Sequence, residues 1–126
     1  MRIELENRLI DFSVAVNKLI VSMPKTLLLQ VLGPQLLRSA TSAALNFGEA
    51  QSAESRKDFI HKMSIVLKEL RESEINMKII HRSNIVRNQL QLSECIIECK
   101  QLIAIFQKSL NTARKNNIKN RDIQSI

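Results

Sequence analysis

Residues Gln35 to Glu74 read QLLRSATSAALNFGEAQSAESRKDFIHKMSIVLKELRESE, and this stretch decides the fold. Each half carries an apolar and a polar line at the three-to-four spacing of one helix face. In the first half Leu36, Ala40, Ala43, Phe47 and Ala50 form the apolar line, and Arg38, Ser42, Asn46 and Glu49 the polar one. In the second half Phe59, Met63, Val66, Leu70 and, just beyond it, Met77 are the apolar line. Asp58, Lys62, Ile65, Glu69, Glu72 and Asn76 are the largely polar one. Between the halves lies a short polar joint, Gln51 to Ser55.

Folding the two helices back as an antiparallel hairpin about Ala53 and Glu54 pairs residues equidistant from that centre. Arg38 then faces Glu69, and Asn46 faces Lys62. Glu49 falls near Asp58, with Arg56 and Lys57 beside it. Arg38 is expected to be largely buried and to contact Glu69 or Glu72, because its planar fork matches a carboxylate. Arg38, Ser42, Asn46, Glu49, Lys62, Glu69 and Glu72 thus read as a structural polar stripe. The alternative is a pair of solvated faces.

Working outward, a chain of 126 residues is one domain, long enough for a core. Its 44% hydrophobic content comes with only two Gly and two Pro and with neither Trp nor Tyr. Strands need turns and aromatic or β-branched runs, so this balance favours long helices with short joints. No apolar run approaches the ~18 residues of a membrane span. The opening Met1-Arg2-Ile3-Glu4 leads into an acidic amphipathic segment rather than a signal peptide, so a cytoplasmic protein is expected.

Leu5, Leu9, Phe12, Val16, Leu19 and Met23 keep a strict 4-3-4-3-4 rhythm, which predicts a first helix near 3–23, ended by Pro24. Ile3, Ile10, Val14 and Val21 form a second apolar line on another face of the same helix. One core does not need two such lines, so the second is expected to meet another helix or another subunit. Thr26 is a candidate N-cap for a second helix over 27–51, bent near Gly33-Pro34. Ser55 with Asp58 three residues later predicts the N-cap and acidic first turn of a third helix, 56–82, ended at Ser83-Asn84. A fourth, near 91–114, would carry Leu92, Ile96, Cys99, Ile103, Phe106, Leu110 and Ala113 on one face. Residues 116–126 are rich in Asn and Lys and are expected as a basic, disordered tail behind a bundle of residues 1–115. The expected fold is all-α, an antiparallel up-down-up-down four-helix bundle. Phe12, Phe47, Phe59, Met63, Leu70 and Phe106 should be nearly dry.

The net charge is +7. Residues 56–87 hold eight Lys and Arg against four acids, residues 114–126 four against one, and the remainder balances. Such an excess attracts polyanions, or simply keeps a protein soluble. Candidate phosphate contacts are Arg56, Lys57, Lys68, Arg71, Lys78 and Arg82 on the third helix. Arg114, Lys115, Lys119 and Arg121 add to them near the end of the chain. No aromatic platform accompanies these cations, so ring stacking on bases has little to work with.

Gln35-Leu36-Leu37-Arg38-Ser39, Ser42, Asn46, Glu49-Ala50, Ser55, Asp58-Phe59-Ile60-His61-Lys62, Leu67-Lys68-Glu69 and Glu72 together resemble a bacterial family. It is the one named four helix bundle protein, first found encoded in intervening sequences of the 23S rRNA gene. The resemblance covers nearly the whole chain and is strongest from Gln35 to Ile80. It implies a homo-oligomer, with a ring of five bundles favoured. It also implies a likeness to the accessory protein of diversity-generating retroelements, which holds reverse transcriptase and nucleic acid with a basic ring. No enzymatic activity comes with it.

Catalytic and metal constellations are weak. Cys95 and Cys99 stand at i, i+4, without the further ligands of a zinc site. They read as core and boundary residues, Cys99 the more buried. His61 and His81 read as surface or interface groups rather than catalysts. Glu69 and Glu72 lack the Glu-x-x-His pattern of a di-iron bundle, and there is no P-loop or nucleophile elbow. The chain therefore reads as non-enzymatic, without cofactor or metal. Two functions remain: an oligomeric module binding RNA or DNA phosphates, or a scaffold whose partner is another protein.

Overall fold

The computed structural model describes the backbone of residues 2–124 and the side chains of residues 2–118. It holds four α-helices: α1 (Arg2–Ser22), α2 (Leu27–Gln51), α3 (Arg56–Arg82) and α4 (Gln89–Gln124). Among the described residues there is no strand. Each helix packs on its neighbours in sequence, most intimately α2 on α3, and α1 closes thinly on α4. The backbones of diagonal helices do not approach one another among the described residues; only side chains reach across the middle of the bundle. With joints of a few residues, this is an up-down-up-down bundle.

The joints are built as their sequences require. Thr26 is extended, and its Oγ1 accepts from the Leu29 N–H at 3.2 Å, opening α2. Ser55 Oγ accepts from the Asp58 N–H at 3.0 Å and opens α3. Asn88 Oδ1 does the same for α4, from the Gln91 N–H at 3.1 Å. These caps satisfy amides that have no carbonyl partner in a first turn. α3 stops where Asn84 takes φ 59, a left-handed conformation that Asn tolerates better than most residues. Pro34 stands inside α2 without interrupting it. The carbonyl it deprives of a donor belongs to Gln30; both residues are exposed, so water can replace the lost bond. A Cβ on the buried Gly33 would lie 3.4 Å from Ile20 Cγ2, so α1 and α2 come close there.

The core follows the expected stripes of α1 and α2. Leu5, Leu9, Phe12, Val16, Leu19 and Met23 are all buried, as are Leu36, Ala40, Ala43, Phe47 and Ala50. Phe47 meets Phe106 edge-on, with ring centroids 5.4 Å apart and planes at 82°. Between α2 and α3 the buried hydroxyls of Ser39 and Ser73 lie 2.9 Å apart and contact the carbonyls of Leu36 and Glu69. These small residues let the two helices approach closely; Ser73 was not singled out in the sequence, and Ser39 entered only through the family resemblance.

Three expectations are corrected. Phe59 is only half-buried, because it sits in the first turn of α3 at the end of the bundle, against the Ala50–Arg56 joint. The buried face of α4 runs through Cys95 and Leu102, while Ile96 and Ile103 are half-buried flanks; Cys95 is thus core rather than boundary. Finally, α4 continues to Gln124, through the segment expected to be a disordered tail and past the expected end at 114. Residues 114–124 contain neither Gly nor Pro to stop the ladder. Their Asn residues lower helix propensity by well under about 1 kcal/mol each. Ile126 and its neighbour Ser125 lie outside the described residues.

Candidate nucleic-acid interface

The outward stripe of α3 reads Lys57, His61, Ser64, Lys68, Arg71, Ile75, Ile79 and Arg82, at steps of three or four. All are exposed except Ser64, which is half-buried. Lys57 and Arg82 are about 37 Å apart along the axis at 1.5 Å per residue. The acids of α3 lie on other stripes, and its three glutamates are held by cations. Arg38 of α2 reaches Glu69 and Glu72, each at 3.3 Å, and Lys78 holds Glu74 at 3.4 Å. By contrast Lys57, Lys68, Arg71 and Arg82 have no acidic partner within 4.0 Å among the described residues, and neither has Arg114.

Counting from the joint gave part of this. Arg38 does meet Glu69 and Glu72, but it is exposed rather than buried: its side chain keeps 60% of its surface while Glu69 keeps 6%. The guanidinium reaches in from the rim, and only the carboxylate is sheltered. Asn46 does not meet Lys62. Its Nδ2 donates instead to the Ser42 carbonyl at 2.9 Å, with Ser42 Oγ at 3.1 Å, inside α2. Lys62 goes to Glu49 at 2.7 Å, and that bond raises the Lys62 pKa. Glu49 therefore pairs with Lys62, one turn along α3 from Asp58. A flexible Lys stem reaches along the helix for a carboxylate in preference to a neutral amide. Missed altogether was the pair closing α1 on α4, Arg8 with Glu98, which raises the Arg8 pKa.

The candidate phosphate contacts do not all line one groove. Arg56 and Lys57 sit at the α2–α3 joint, both exposed. Lys78 is tied to Glu74 and, with Arg82, borders a second groove toward α4. Lys115 is exposed, and the side chains of Lys119 and Arg121 lie outside the described residues. Lys68, Arg71 and Arg114 do converge. Together with Arg38 they rim a groove of about 860 Å³ over α3. Its apolar floor comprises Leu32 from α2, Leu67, Ile75 and Ile79 from α3, and Leu110 from α4. The size lies within the range of ligand clefts. Arg71 Nη2 donates to Gln107 Oε1, and Gln107 Nε2 donates to Asn111 Oδ1 at 3.1 Å. This chain fixes the guanidinium at the groove edge.

The cysteines contribute no reactive centre here. Cys99 Sγ bonds the Leu70 carbonyl at 3.2 Å, and burial pushes its thiol up to about 12. Burial also raises Cys95. A thiol held neutral is a poor nucleophile.

The model of the 23S rRNA-intervening sequence proteins matches residues 2–112, which takes in α1 to α3 and most of α4. The chain belongs to that family. It is also similar to a solved structure from Bacteroides thetaiotaomicron, described as a protein of unknown function from the S23 ribosomal protein family. The two share 28% identity and a TM-score of 0.74, over 84% of this chain and 97% of that one. No match was found among curated proteins. The family match stops short of Arg114, so that rim residue lies beyond the part of the chain the model describes.

Proposed function

We propose that this member of the 23S rRNA-intervening sequence family is a non-enzymatic, self-associating module that binds nucleic-acid phosphates through the outer face of α3. One observation carries the reading. The cations on that face have no acidic partner among the described residues, whereas each glutamate of α3 has one: Arg38 is shared by Glu69 and Glu72, and Lys78 holds Glu74. Surface cations tied to carboxylates have little left for a ligand; untied ones release counterions when a phosphate arrives. Self-association is supported by α1. Ile3, Ile10, Val14 and Val21 are 66%, 47%, 48% and 76% exposed on one face of α1, and large apolar residues gathered on one exposed face mark an interaction surface. Repeating a weak site around an assembly multiplies its avidity.

The test is titration of a labelled RNA of arbitrary sequence at several salt concentrations. Binding should fall steeply with salt. Changing Lys68 and Arg71 together to Gln should flatten the log–log slope by about 1.4, at roughly 0.7 per lost phosphate contact on a single strand. No binding at low salt would end this reading and leave the protein-scaffold alternative.

A further inference from the structure

We propose that the groove over α3 takes unpaired bases, so that the protein prefers single-stranded to double-stranded nucleic acid. This rests on the phosphate-binding reading above and adds to it what the groove recognises. A face serving only phosphates needs cations alone. Here Ile75 and Ile79, 55% and 43% exposed, stand on the same stripe as Lys68, Arg71 and Arg82 and belong to the groove lining. A duplex carries its phosphates outside and its bases stacked within. It can lie along the cations but brings nothing apolar to cover the isoleucines. A single strand can run its phosphates along the rim and turn its bases onto the aliphatic floor.

The rim is prepared for flat ligands without any aromatic ring. Arg38 is held by two carboxylates and Arg71 by Gln107, so both guanidinium groups are fixed beside the floor. Bases stack on guanidinium planes as they do on rings, and a fixed plane loses less entropy on binding. Asn76 lines the same groove. Its Nδ2 donates to the Glu72 carbonyl at 3.0 Å, and its buried Oδ1 has no partner among the described residues. The exocyclic amino group of a base is a donor of the kind that oxygen lacks, reachable once the amide rotates toward the groove.

The test compares a fluorescein-labelled single-stranded RNA with the same strand annealed to its complement, by fluorescence anisotropy at one low salt concentration. The single strand should bind about tenfold more tightly. Changing Ile75 and Ile79 together to Ser should bring it down to the duplex level and leave the duplex unchanged. Both positions are exposed, and a thermal melt checks that the variant is folded. As a second measurement on the unaltered protein, 4-thiouridine in the strand should crosslink to the peptide containing Ile75 and Ile79. Equal affinity for both forms, indifference to the isoleucine change, or crosslinks elsewhere only would overturn the groove proposal. If the Lys68 and Arg71 change still weakens binding in those cases, the phosphate reading stands alone. If neither RNA binds at low salt, both readings fall.

Discussion

Replacing Arg38 by Ala tests whether the polar stripe of α2 and α3 holds the bundle together. Two limits bracket the effect. Exposed ion pairs contribute about 0.2–1 kcal/mol, and breaking a fully buried pair costs about 3–5 kcal/mol. Arg38 is between them, because its side chain is 60% exposed while the Glu69 side chain is only 6% exposed. Its two contacts are single-pronged, each at 3.3 Å, longer than the roughly 2.8 Å of a strong charge-assisted bond. Water already reaches the guanidinium, so the direct attraction is screened. The larger share of the loss comes from leaving the sheltered carboxylate without a counter-charge, on the order of 1–3 kcal/mol for a buried group deprived of its partner. We expect Arg38→Ala to cost about 1–2 kcal/mol, which lowers the melting temperature by roughly 4–8 °C for a chain of this size. The assay is thermal unfolding followed by circular dichroism, at fixed protein concentration because assembly would itself shift the midpoint. Changing Glu69 to Gln removes the stranded charge. In that background Arg38→Ala should cost less than about 0.5 kcal/mol, so the double-mutant cycle isolates the coupling. Equal costs in both backgrounds would show that Arg38 acts through some group other than Glu69. A melt within a degree of the parent would make the stripe a solvated face.

Phe106 is fully buried and stacked edge-on against Phe47, so Phe106→Ala should cost about 3–5 kcal/mol in chemical denaturation, whereas the half-buried Phe59→Ala should cost about half that. Both thiols should resist Ellman's reagent at pH 8 in the folded protein and react fully in guanidinium. Because the folded Cys99 thiol is raised from 9.0 to about 12, the unfolded chain releases that proton first, and stability should fall as pH climbs from about 9 toward about 12. Val14→Asp, on the exposed line of α1, should give monomers by light scattering and weaken RNA binding in the same step; a parent protein that already scatters as a monomer would refute self-association. Asn76→Leu removes an unpartnered acceptor together with a single bond to the Glu72 carbonyl, so its stability should lie within about 1 kcal/mol of the parent.

What the sequence determined by itself is whatever depends on near neighbours. Helix α1 was legible from six apolar residues at 4-3-4-3-4 spacing, and the starts of α2 and α3 from Thr26 and Ser55, because a helix face and a cap are fixed within one or two turns. The Arg38–Glu69 contact was also legible, since a hairpin with a short joint fixes which turns lie opposite. The family resemblance was carried by those same polar residues within apolar helices. Tertiary structure decided how far each side chain reaches and which stripe each helix turns outward. Lys62 found Glu49 rather than Asn46 because a long stem chooses among partners several ångströms apart, a choice no register count contains. The buried face of α4 passed through Cys95 and Leu102 because its rotation follows from packing against α3 and α1, and its own isoleucines allow either setting. The groove is the clearest case. Leu32, Ile75 and Leu110 belong to three different helices, and only their packing brings them under the same arginines and lysine. Whether a cation is free or already neutralised depends on a contact between helices, so the sequence supplied the +7 charge while the fold selected which charges face outward unpaired.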